Sequence, residues 1–169
     1  LALRGLTVFP RMTASFDVER EISVRALERA METGQEIFLV TQRELGVELP
    51  EEKDLYEVGT VARVIQILRA SNSMMRVVME GGSRARLRRL WQREPFLQAQ
   101  VELIGEEKSP RHGTRTEAML RQTYALFGEY SELLPKQPES IFTTVMDATD
   151  PGFLADFIAQ NSNLRYQDK

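Results

Sequence analysis

The chain has no cysteine and a single histidine, His112. The first absence excludes disulfides, thiolate metal sites and a cysteine nucleophile. The second leaves a histidine-based zinc site or a histidine relay without enough parts. No glycine is followed by lysine, so a phosphate-binding loop of the Walker A type is missing. No apolar run approaches the roughly 18 residues that cross a bilayer, and no signal peptide is visible. Neither sign of charge dominates: 22 Lys and Arg face 25 Asp and Glu, for a formal charge of −3. That balance argues against a chain devoted to neutralising phosphates and leaves room only for a local basic face.

What is present is ordinary for a soluble globular protein. The 169 residues are 42% hydrophobic and 28% charged, enough for one good core or one core with a small appendage. The absence of cysteine fits a reducing compartment, and a cytoplasmic setting is expected. A start at Leu1 and an end at Lys169 within a polar stretch read as a piece of a longer protein.

Residues 1–108 carry mainly strand signals. "GLTVFP" (5–10) is a short apolar run stopped by Pro10. "REISVRALERAM" (20–31) puts Ile22, Ala26, Leu27, Ala30 and Met31 on one helical face, and Thr33-Gly34 supplies the stop. "EIFLVTQ" (36–42) reads as a strand buried on both faces, followed by a surface loop over 43–54. "VGTVARVIQILRA" (58–70) and "MMRVVME" (74–80) flank Ser71-Asn72-Ser73 and predict a hairpin. "FLQAQVEL" (96–103) alternates, with Leu97, Ala99, Val101 and Leu103 on one face. About six strands and one helix in this length predict a compact, barrel-like β domain.

From about Gly113 the period becomes helical. "TRTE" (114–117) has the form of a capping box, with the Thr114 hydroxyl accepting from the Glu117 N–H. Leu120, Tyr124, Phe127 and Leu134 form a stripe ending at Pro135, and Pro138 opens a second helix carrying Ile141, Phe142, Val145 and Met146. Asp150-Pro151 reads as an N-cap with proline at the first helical position, ahead of Phe153, Leu154, Phe157 and Ile158. The expected fold class is therefore α+β: a β domain over 1–108, then a small helical subdomain over 109–169 that continues beyond Lys169.

Four phrases resemble, in order, the N-terminal region of the Lon family of ATP-dependent proteases. "LALRGLTVFPRM" (1–12) is similar to the family's opening, with Ala2 where proline is usual. "SVRALERAM" (23–31), "DLYEVGTVARVIQIL" (54–68) and "VVMEGGSRARL" (77–87) resemble its helix, its most specific strand and its strand pair. The resemblance implies a PUA-like β-barrel and a helical subdomain. It also implies a role in recognising unfolded or damaged protein and passing it to a hexameric AAA+ ATPase ring. ATP and magnesium would belong to the ATPase region and the serine protease centre to a later one, so no cofactor and no catalysis are expected within these residues.

Each stretch that suggests chemistry has a plainer reading beside it. His112, and the adjacent Lys108 and Ser109, lie in a connecting segment without the fixed geometry a catalytic pair needs. Glu51, Glu52 and Asp54 lack the ligand spacing of a calcium loop. At strand period Arg84, Arg86 and Arg88 share one face, which reads as a solvated or salt-bridged strand, as a protein contact, or as a nucleic-acid stripe. Trp91 is the one aromatic nearby on which a base could stack. An unfolded client calls for adaptable apolar surface, and Pro10, Met12, Phe16, Met74 and Met75 are the candidates for it. The rival functions are a nucleic-acid-binding module and a purely architectural piece that helps assemble the ring.

Overall fold

A computed structural model describes residues 1–69, 74–105, 113–133 and 138–169. These form two compact units, the first made of Leu1–Gly105 with Leu164–Lys169 and the second of Glu106–Asn163.

The first unit is built on a six-stranded sheet. A two-residue strand β1 (Ala2–Leu3) runs parallel to β3 (Glu36–Thr41), and the Leu1 nitrogen extends the pairing by donating to the Phe38 carbonyl at 2.7 Å. The run 5–10, expected as a strand, is not one. Gly5 turns the chain at φ 65° and Arg11 turns it again at φ 61°, so Val8 and Phe9 are buried from an irregular segment. Strand β2 (Thr13–Val18) leads into helix α1 (Glu21–Glu32), whose buried stripe is Ser23, Ala26, Leu27 and Ala30. The i, i+3, i+4, i+7 spacing is as expected, but Ser23 takes the place assigned to Ile22, and Met31 stands 41% exposed. The chain leaves α1 through Gly34 at φ 108°.

Strands β3 and β4 (Val58–Arg69) pair antiparallel, and β4 pairs with β5 (Met75–Gln92). Strand β5 is 18 residues long and serves two further partners: Met75–Glu80 pair with β2, and 85–92 pair with β6 (Gln98–Leu103). The sheet order is β1-β3-β4-β5-β2 with β6 branching from β5. Among the described residues β1 and β2 do not meet, so the expected barrel is an open sheet. Its core holds Leu27, Leu39, Ala62, Val64, Met75, Val77 and Met79, every one under 9% exposed. The hairpin turn expected at Ser71-Asn72-Ser73 lies outside the described residues.

The second unit holds α2 (Thr114–Leu133), α3 (Glu139–Asp147) and α4 (Pro151–Asn161). Phe127, Val145, Ala148 and Leu154 form its own core, with Tyr124, Ile141, Phe153 and Phe157 packed around them. Asp150 caps α4 as expected, its Oδ1 accepting from the N–H of Gly152 at 2.9 Å and of Phe153 at 3.1 Å. The Thr114 box does not form. Thr114 is already the first helical residue, and the Glu117 N–H is donated to the Gly113 carbonyl at 3.2 Å. Leu134 and Pro135, expected to end α2, lie outside the described residues.

Candidate functional site

The first unit has an apolar depression of about 270 Å³ to which β1, α1, β3, β5 and β6 all contribute. Helix α1 gives it small side chains, Ala26 and Ala30, which let the helix lie close without filling it. Strand β3 contributes Ile37, Phe38 and Val40; β5 contributes Leu87, Leu90 and Trp91. Phe96, Leu97 and Ala99, leading into and along β6, make the remaining wall. Trp91 stands 59% exposed at this groove, a large apolar side chain that folding leaves in water. The charged groups on the lining are Arg29 and Glu36, and Arg29 is held by Glu32 at 3.1 Å. The surface offers mainly adaptable apolar contact.

Two register shifts in β5 create this face. Cross-strand partners share a side of the sheet, and the pairs are Leu87 with Val101, Arg89 with Gln100, and Leu90 with Ala99. Irregularities between Leu87 and Arg89, and between Leu90 and Gln92, change the alternation twice. Arg84, Arg86 and Arg88 therefore do not form the single face expected of them. Arg86 and Arg89 take the polar side opposite Glu102 and Gln100, while Arg88 sits at the first irregularity.

Acids stand against three of the arginines in this region. Arg88 is bound by Glu102, Arg86 lies 3.6 Å from Glu57, and Arg93 lies 3.1 Å from Glu51. Hydrogen bonds from Arg93 and then Lys53 hold the Glu51 carboxyl below its ordinary range. Glu51 and Asp54 cap each other's backbone around a short 3-10 turn, and the Glu52 carboxylate accepts the Leu90 N–H at 3.0 Å. Of these three acids Glu52 is bonded to β5, Glu51 to Arg93 just past its end and Asp54 to the turn itself, and no group of three His, Cys, Asp or Glu side chains suited to a metal occurs among the described residues.

The apolar candidates are differently placed. Pro10, Met12 and Met75 are buried, the last two each 6% exposed, and Met75 belongs to the core cluster. Phe16 and Met74 are half-buried. Burial corrects the expectation that these five form an exposed client surface: three of them cannot reach a ligand without unfolding. Strand alternation turns Met75 inward and leaves Met74 nearer solvent. Lys108, Ser109 and His112 lie outside the described residues. Sequence reading missed the groove because its walls come from segments scattered between Leu1 and Ala99. The local signal that could have pointed to it is the Trp91…Phe96-Leu97 cluster.

The whole chain, residues 1–169, matches the family model described as the ATP-dependent protease La (LON) substrate-binding domain. It is 40% identical over 169 residues to a Lon protease of Brevibacillus choshinensis and 37% identical to that of Desulforamulus reducens. Each alignment covers all of this chain and 21% of the relative, so the chain spans about a fifth of their length. The N-terminal domain of a Mycobacterium avium complex Lon protease has a similar fold, with a TM-score of 0.73 at 18% identity over 99% of this chain and 84% of that one.

Proposed function

We propose that this chain, which belongs to the Lon substrate-binding domain family, holds unfolded polypeptide in the apolar groove between α1, β3 and the β5–β6 pair. The observation that carries the reading is a concave apolar surface rimmed by an exposed Trp91. Folded proteins hide such contacts, whereas an unfolded segment presents single apolar side chains that can occupy a shallow groove one at a time. Contact of this kind is weak. Six copies on one ring would raise effective concentration without any new contact, which is sufficient for capture and delivery.

The acid partners of Arg86, Arg88 and Arg93 count against a nucleic-acid stripe, because a phosphate would have to displace Glu57, Glu102 and Glu51. Binding of a fluorescent, permanently unfolded reporter protein tests the proposal. Replacing Leu90 and Trp91 together by serine is expected to weaken binding about tenfold, the loss of one central apolar anchor. The affinity of the unaltered chain should change little between 50 and 500 mM salt. Unchanged binding by the double variant would rule the groove out, and a steep loss with salt would restore the nucleic-acid reading.

A further inference from the structure

We infer that the outer edge of β6 is a pairing site for an extended polypeptide, so that a client is held through its main chain as well as its side chains. This rests on the proposed client-binding role and specifies how the groove is used. The phase of β6 follows from its ladder with β5. The Ile104 N–H donates to the Arg84 carbonyl at 2.9 Å, and the register continues through Leu103 with Ala85 and Glu102 with Arg86. In an antiparallel pair, residues whose N–H and C=O face the partner alternate with residues that face away. Glu102, Gln100 and Gln98 thus point their main-chain groups at β5, and Ala99, Val101 and Leu103 point theirs outward. Strand β6 pairs only with β5, and those outward groups have no hydrogen-bond partner among the described residues.

A row of free donors and acceptors at strand spacing matches one kind of chemistry, another extended peptide backbone, and the match does not depend on its sequence. Strand edges are commonly protected by lysine, proline, a bulge or an inward charge. Residues 98–103 contain no proline or lysine, the register shifts of this pair fall on β5, and the one charge, Glu102, is engaged by Arg88. What distinguishes β6 from β2, the edge at the end of the sheet, is its neighbour. Leu97 and Ala99 are walls of the apolar groove, and Leu103, on the same face, is 63% exposed. A segment added outside β6 turns every second side chain toward that apolar face. A folded protein can offer only a free edge of its own sheet, whereas an unfolded one offers any extended apolar segment.

The test uses the 169-residue chain and a labelled ten-residue apolar peptide, in a normal form and a form N-methylated through its central six residues. Methylation keeps the side chains and removes the main-chain donors. The normal peptide should bind, the methylated one at least tenfold more weakly, and Val101→Pro should show the same loss for the normal peptide with its melting temperature little changed. Proline suits that position because its missing N–H is one that faces solvent. If Val101→Pro fails to fold, the two peptides still decide. Equal binding of both peptides, with Trp91→Ser still weakening both, overturns strand addition and leaves the groove intact. No binding of either peptide or of an unfolded protein overturns the client-binding role itself. A dimer in sedimentation that Val101→Pro dissociates assigns the edge to a second copy and also overturns the inference.

Discussion

At position 81 a side chain has nowhere to go. A Cβ there would lie 2.1 Å from the Phe9 carbonyl oxygen, and one at Gly59 would lie 2.2 Å from that of Leu39. The close approach is used, since the Gly81 N–H donates to Met12 at 2.8 Å and its carbonyl accepts from Arg11 at 2.7 Å. Both glycines sit in the phrases that carry the family resemblance, "VGTV" and "MEGG", so these motifs encode backbone contact rather than chemistry. Gly81→Ala is expected to cost at least the ~1–3 kcal/mol typical of overpacking, read as a lower urea midpoint. Gly46→Ala, with no atom near its added Cβ, should stay within about 0.5 kcal/mol. Burial changes what a methionine substitution reports. Met75→Ser should lower stability by roughly 2–5 kcal/mol, as for other truncations of buried large side chains, and any loss of binding would follow from unfolding. An unchanged melting temperature would show that Met75 lies outside the core.

Among the elements, strand β5 shows where the sequence stops being legible. The strand signals at 36–42, 58–70 and 96–103 match β3, β4 and β6 to within two residues at each end, because burial imposes a period the residues must obey. The helix at 20–31 was legible for the same reason. For β5, simple alternation groups Arg84, Arg86 and Arg88, but the irregularity between Leu87 and Arg89 displaces Arg88 and brings Arg89 to the polar side. Bulges answer to the partner strand, which local pattern does not contain. The groove was illegible on the same ground, each of its elements giving only a few apolar side chains to it. The arginines were partly legible, since the salt-bridged strand is the reading the acid partners support. Because Arg88 and Glu102 are each more than half exposed, a double-mutant cycle to alanine should give a coupling of only ~0.2–1 kcal/mol, reduced further in 0.5 M salt. A coupling of several kcal/mol would mean that the pair is shielded from solvent.

At the scale of the molecule, the first unit is discontinuous in sequence. Leu164–Lys169 follow the last helix yet pack as part of the sheet-bearing unit. Tyr166 anchors them: its hydroxyl donates to the Arg43 carbonyl at 3.1 Å, and its ring lies beside Gly5. Nothing in "LRYQDK" marks a return to the sheet, since six mostly polar residues show neither helix nor strand period. The first unit cut at Gly105 is therefore missing part of itself. Removing a hydrogen bond costs ~0.5–1.5 kcal/mol and withdrawing an aromatic ring's partly buried area adds a comparable amount, so Tyr166→Ala should destabilise the first unit by about 1–3 kcal/mol. Tyr166→Phe, which keeps the ring, should cost about 1 kcal/mol or less. Trp91 is the only tryptophan, so its emission reports the unfolding of that unit alone. In urea its midpoint should fall for Tyr166→Ala and for a chain ending at Asn163. Phe127→Ala, a core truncation in the helical unit, should instead weaken the helical signal in circular dichroism at lower urea. A Trp91 transition unmoved by loss of Tyr166 would show that the tail contributes no stability to the sheet.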